Sequence, residues 1–132
     1  MCTVSQIQQV TKGKFVSKAD ETAAVQYLLI DSRKLLYPST TLFFAIKTAT
    51  RTGAGFVQEL YEKGVRNFIV SANDTIPSIP NANVIAVDDV VLALQQLAAY
   101  HRSQFTIPVV GITGSNGKTI VKQWLFQLLH QD

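Results

Sequence analysis

Three short apolar blocks constrain this chain most: "LFFAI" at Leu42 to Ile46, "NFIVS" at Asn67 to Ser71 and "NVIAV" at Asn83 to Val87. A strand with one face in water alternates polar and apolar residues. These blocks are apolar on both parities, so they read as strands of a sheet covered on both faces. Helical patterns lie between and after them. Phe56, Val57, Leu60 and Tyr61 recur at helical spacing, with Lys63 in the last turn and Gly64 just past the end. A longer pattern runs from roughly Val90 to Phe105, with Asp88 as a candidate N-cap and Leu94, Leu97, His101 and Phe105 on one face. Strands alternating with helices imply an α/β sandwich, with parallel pairings wherever a helix crosses over.

The rest of the chain fits that scheme. "TVSQIQQVTKG" reads as an opening helix, with Thr3 and Gln6 at capping-box spacing and Gly13 as its left-handed stop. "KFVS" reads as a short strand and "KADET" as a polar connector, and "VQYLLIDSR" rises into an apolar strand ending at Asp31. "KLLYPSTT" is a loop carrying Pro38, and the two prolines of "ANDTIPSIPNA" exclude regular structure there. "IPVVGIT" reads as one more buried strand. A final helix follows, in which Val121, Trp124, Leu125, Leu128 and Leu129 form an apolar stripe, with Trp124 expected in a core. The boundary between two units falls near Thr106 to Pro108.

With 47% hydrophobic and 16% charged residues, a packed core is expected and disorder is not. The net charge of +3 comes from dispersed basic residues, Arg33–Lys34 being the only adjacent Lys/Arg pair. That pattern argues against nucleic acid as a partner and for small anionic ligands. Cys2 is the only cysteine, so no intrachain disulfide or cysteine metal cluster forms. No apolar run reaches the ~18 residues of a membrane span, and the N-terminus lacks the apolar core of a signal peptide. A cytoplasmic protein without membrane insertion is expected.

The stretch "GITGSNGKT", Gly111 to Thr119, carries the chemistry. Glycines let successive backbone N–H groups turn inward around an anion, and a helix N-terminus adds partial positive charge. A lysine reaches the β- and γ-phosphates, and a Ser or Thr hydroxyl binds Mg²⁺. Here a strand at Val109 to Thr113, a loop at Gly114 to Gly117, then Lys118, Thr119 and an amphipathic helix supply each part. The match to the general phosphate-loop pattern is not literal, since its first glycine would fall on Ile112.

The loop "TGSNGKT" resembles the ATP-binding loop of the Mur ligases, which build the peptide stem of the bacterial cell-wall precursor. The stretches "DSRKLLYPSTTLFFAI" and "TGAGFVQELYEKGVRNFIV" resemble the N-terminal uridine-nucleotide domain shared by the third and fourth amino-acid-adding members. The resemblance runs from about Thr3 to the end of the chain. Lys122, three residues after Thr119, favours the last member, and "GKTIVKQWLFQLL" looks most like versions fused to an alanine racemase.

The resemblance implies a three-layer α/β/α sandwich around a mixed sheet, followed by the first strand, phosphate loop and helix of the central ATPase domain. Residues 1–106 would bind the UDP part of the substrate, and residues 107–132 would begin the ATP-binding domain. It implies ATP and Mg²⁺ as cofactors, with UDP-N-acetylmuramoyl-tripeptide and D-alanyl-D-alanine joined through an acyl phosphate. Residues 1–132 alone are then expected to be inactive, because the remaining metal ligands and the D-alanyl-D-alanine site belong to later parts of such a ligase.

Carried over by position, Ile30, Ser32, Ala49, Thr50 and Arg51 would contact UDP. Gly114, Ser115, Asn116, Gly117, Lys118 and Thr119 would hold ATP, with Lys118 catalytic and Thr119 on the metal. Thr48 and Thr52 depart from the family's glycine and aspartate, and Ile120 replaces a common hydroxyl residue. Three alternatives stay open: the preceding amino-acid-adding ligase, a stand-alone P-loop NTPase, and a non-catalytic nucleotide-sugar-binding module. For the NTPase, Asp31 and Asp88 are the nearest candidates for a metal-binding acid, and neither is well placed.

Simpler roles compete at several residues. Asp31 and Arg33 read equally as an ion pair anchoring a loop or as ligand contacts. His101 reads as a satisfied core histidine, and His130 as favourable charge at a helix C-terminus. Asp88 and Asp89 together read as helix capping.

Overall fold

The computed structural model describes residues 2–47, 53–76 and 78–130. In chain order the strands are β1 (Cys2–Thr3), β2 (Lys14–Ser17), β3 (Ala24–Val25), β4 (Tyr27–Leu29), β5 (Thr41–Phe44), β6 (Asn67–Ser71) and β7 (Asn83–Val87). The helices are α1 (Val4–Thr11), α2 (Val57–Glu62), α3 (Val90–Ser103) and α4 (Lys118–Leu129). The main sheet has the order β2-β7-β6-β5-β4. Strands β4 to β7 run parallel, and β2 pairs antiparallel with β7 at one edge. β1 and β3 form a small antiparallel pair of their own.

The apolar blocks are buried on both faces, as their composition requires. Leu42, Phe44, Ile69 and Ile85 point to one side, where they meet Val4 and Ile7 of α1 and Ala93 and Leu97 of α3. Phe43, Phe68, Val70 and Val84 point to the other, against Val57 and Leu60 of α2. The result is a three-layer α/β/α sandwich around a mixed sheet. Each large side chain taken fully from water contributes about 1.5–3 kcal/mol, so these two layers dominate the fold's stability.

The asparagines that open two of the blocks are structural. Asn83 donates from Nδ2 to the Asn67 side-chain oxygen at 2.8 Å and to the Asp20 carbonyl at 2.9 Å. Its Oδ1 accepts from the Ala19 and Asp20 N–H groups, both at 2.9 Å. All four hydrogen-bonding positions of this buried amide are filled, and the connector after β2 is pinned to the sheet.

Several local expectations change. The Thr3–Gln6 capping box forms as expected. The left-handed residue ending α1, however, is Lys12 at φ 54°, not Gly13. Gly13 is needed for closeness instead, because a Cβ there would lie 2.3 Å from Ile85 Cγ2 on β7. Asp89, not Asp88, caps α3, accepting from Val91 and Leu92 N–H at 2.8 and 3.0 Å. An N-cap must directly precede the first helical turn with an extended backbone, and Asp89 holds that place. His101 is exposed rather than in a core, with its ring edge-on to Phe105.

The segment "IPVVGIT" forms no strand. A strand persists only when its N–H and C=O groups find a ladder partner, and Ile107 to Thr113 pair with none among the described residues. Ile107, Val109 and Val110 are consequently exposed. α4 forms as expected, but its stripe is uncovered, and Trp124 is 62% exposed rather than in a core. No helix among the described residues is long and apolar enough to cross a membrane.

Candidate functional site

Parallel strands bring their C-terminal ends to one edge of a sheet, and open α/β sheets bind ligands in crevices there. β4 and β5 end side by side at this edge. The chain leaves β4 through Ile30 and turns at Asp31 into a 3-10 turn at Ser32–Lys34. It leaves β5 through Ile46, and α2 starts behind a second 3-10 turn at Gly53–Phe56. Between these exits lies a cavity of about 440 Å³. Ile30 and Ser32, Phe43 and Ile46, and Gly53, Phe56 and Glu59 line it.

Gly53 is a requirement of this geometry. A Cβ at this buried position would lie 2.3 Å from the Ala45 carbonyl carbon and 2.6 Å from Ile46 N, both backbone atoms. Only a residue without a side chain lets the approach to α2 lie this close against the end of β5.

Asp31 and Arg33 also line the cavity. The Arg33 side chain donates twice to the Asp31 carboxylate, and its backbone N–H adds a third bond. These hydrogen bonds from Arg33, the side-chain ones foremost, hold the Asp31 carboxyl at about 2, well below the usual carboxylate range. The ion-pair reading of the two residues is therefore the one the structure shows. On the far side, Lys63 Nζ donates to Glu59 Oε1 at 2.5 Å along α2.

Ile30 and Ser32 both line this cavity. Ala49, Thr50 and Arg51 lie outside the described residues, as do Thr48 and Thr52. Phe56, which the sequence pattern places as packing, and Glu59, which no sequence motif marks, also line the cavity. Their i,i+3 spacing across the start of α2 is the available signal.

The second concavity lies at the glycine loop. Gly114 and Gly117 take positive φ values of 148° and 76°, and Gly117 opens α4 with no side chain capping its first turn. The loop is exposed, so Ser115 and Asn116 face solvent. A cavity of about 420 Å³ is lined by Val110, Ile112, Lys118, Thr119 and Lys122. Lys118 Nζ donates back to the Gly114 carbonyl. Uncapped N–H groups at the start of a twelve-residue helix, with two lysines beside them, suit phosphate oxygens. The strand expected before this loop is absent, so that part of the phosphate-loop pattern is not met.

Thr119 carries a hydroxyl beside Lys118 in this cavity. The described residues hold no cluster of three or more His, Cys, Asp or Glu suited to a metal.

No family model matches the chain. The UDP-N-acetylmuramoyl-tripeptide–D-alanyl-D-alanine ligase of Bacillus subtilis (strain 168) is 35% identical over 128 residues, covering 96% of this chain and 27% of that protein. The UDP-N-acetylmuramoyl-L-alanyl-D-glutamate–2,6-diaminopimelate ligase of Geobacter sulfurreducens is 36% identical over 104 residues, covering 77% and 20%. Two crystal structures of MurF from Acinetobacter baumannii superpose with TM-scores of 0.79 and 0.81 at 32% identity. Each match covers 96% of this chain and 27% of the MurF chain. The chain thus spans about a quarter of the length of these MurF-type relatives. Alike in sequence and in fold over nearly its whole length, it belongs to the Mur ligase family and corresponds to the N-terminal part of the MurF-type members.

Proposed function

We propose that residues 1–106 bind the UDP moiety of UDP-N-acetylmuramoyl-tripeptide, and that residues 107–132 begin the ATP-binding central domain of a cytoplasmic cell-wall ligase. The complete enzyme would join D-alanyl-D-alanine to the tripeptide through an acyl phosphate formed at the expense of ATP. The observation that carries this reading is the cavity at the ends of β4 and β5. Two residues expected to contact UDP, Ile30 and Ser32, line it.

The roles follow from chemistry. The Ser32 hydroxyl and backbone N–H are donors suited to an oxygen of uracil or phosphate, and Ile30 offers apolar contact. Ala49, Thr50 and Arg51 would complete the site, Arg51 pairing with a diphosphate oxygen. Beside the second concavity, Gly114 to Gly117 would offer backbone N–H groups, and Lys118, which lines it, would neutralise charge on the phosphates. Thr119 would place its hydroxyl on Mg²⁺. When bound, the cation supplies neutralisation of the phosphate oxygens.

Calorimetric titration of the chain with UDP and with ATP–Mg²⁺ tests the proposal. Both are expected to bind, and Ser32→Ala should weaken UDP alone. A folded chain that binds no UDP would sink the reading. ATP without UDP would point to a P-loop NTPase, and UDP without ATP to a nucleotide-sugar-binding module. The second reading, a diaminopimelate-adding ligase, draws on the 36% identity to the Geobacter sulfurreducens protein. Activity of the full-length protein on the UDP-muramoyl-dipeptide precursor, but not on the tripeptide, would favour it.

A further inference from the structure

We propose that Glu59 reads the sugar of the bound nucleotide, its carboxylate accepting hydrogen bonds from the ribose 2′- and 3′-hydroxyls. The inference rests on the uridine-nucleotide reading of the cavity at β4 and β5.

Two carboxylates line that cavity, and they are not equivalent. Arg33 fills three of the four acceptor positions of Asp31. Glu59 gives Oε1 to Lys63, and its Oε2 has no partner among the described residues. Glu59 is therefore the lining carboxylate with the greater acceptor capacity to offer a ligand. It stands in the first turn of α2, three residues after the N-cap Phe56, and both residues line the cavity.

The chemistry of a uridine nucleotide then fixes which part lies here. A diphosphate is repelled by a carboxylate. Uracil has one N–H donor on its pairing edge, flanked by two carbonyl oxygens that a carboxylate would also repel. The ribose presents two neighbouring hydroxyls and no charge, and a carboxylate with four lone-pair sites receives such a diol well even with one position given to Lys63. With the sugar at Glu59, Phe43, Ile46 and Phe56 offer the base apolar contact in the same cavity, which Ser32 also lines. The diphosphate then points away from both acids.

Calorimetry on the 132-residue chain with UDP and 2′-deoxy-UDP tests this, with circular dichroism reporting the fold of each variant. The wild type should prefer UDP by about tenfold, the worth of one hydrogen bond to a charged group. Glu59→Ala should bind both nucleotides alike, at the level of the deoxy compound in the wild type. Glu59→Gln, which keeps the shape, should retain part of the preference. Lys63→Ala should keep it, since the carboxylate remains. An undiminished preference in folded Glu59→Ala or Glu59→Gln overturns the assignment, as does a wild type that binds both nucleotides equally. A folded wild type that binds neither removes the uridine reading itself, and this inference with it.

Discussion

Arg33 folds back onto Asp31, two residues earlier, with Nε 2.9 Å from Oδ1 and Nη2 2.8 Å from Oδ2. The turn that carries Ser32 is thereby clasped on both sides, and the guanidinium is committed within the loop rather than held out for a phosphate. The same bonds keep the Asp31 carboxyl near 2.

The clasp predicts a titration shift. Asp31 is ionised in the fold to a lower pH than in the unfolded chain, whose aspartates titrate at about 3.9. Its contribution to stability is therefore fully present above that value and is lost as pH falls through about 2. Arg33→Ala removes the side-chain bonds but keeps the backbone one, so it should raise the Asp31 midpoint toward the ordinary aspartate range and weaken the pH dependence of stability across that window. Carboxyl-carbon NMR titration reads the midpoint directly. A midpoint unmoved in Arg33→Ala would mean that the pair is not formed in solution.

Asn83 offers a test of the sheet. Asn83→Ala strips the Ala19 and Asp20 N–H groups of their acceptor and leaves the Asn67 side chain without its donor. Unmet groups at partly buried positions cost about 1–3 kcal/mol each, so a loss of about 2–3 kcal/mol is expected after partial rehydration. Urea unfolding followed by circular dichroism measures it. A loss below about 0.5 kcal/mol, the range of ordinary surface substitutions, would show that the connector after β2 is not pinned as described.

What could be read from the sequence follows a physical line. β6 and β7 match their blocks residue for residue, because burial on both faces leaves an unbroken apolar run. The capping box of α1 was legible because it is a local chemical pattern. Three misplacements came from contacts between distant segments. Gly13 answers to Ile85 across the sheet, "IPVVGIT" depends on a partner strand, and Trp124 depends on a surface to cover it. The site divides the same way. Ser32 sits in a recognisable local motif, whereas Phe56 and Glu59 join it only because α2 packs beside β5.

The exposed stripe of α4 predicts an optical signal. Trp124 is the chain's only tryptophan and is 62% exposed. At low concentration its emission should resemble free indole in water, change little on unfolding and be readily quenched by acrylamide. Neighbouring Val121, Leu128 and Leu129 are exposed as well. Apolar patches of this kind promote association, so a blue shift should appear as concentration rises. Blue emission at every concentration would instead show α4 packed against its own chain.

Lys118 separates the two nucleotide sites. Its amine bonds the Gly114 carbonyl across the loop, a contact that an arriving phosphate would replace with a stronger, charge-assisted one. Removing the amine should therefore weaken ATP–Mg²⁺ binding by at least about tenfold, the worth of one such bond. UDP should be unaffected, since no described residue lines both the cavity at Ser32 and the cavity at Lys118. Side chains without shared partners usually act independently, which places the expected change in UDP affinity within about twofold. Calorimetry of Lys118→Ala with each nucleotide gives both numbers. Parallel losses would mean that one nucleotide pocket, not two, serves this chain, and unchanged ATP affinity would place the phosphates away from the glycine loop.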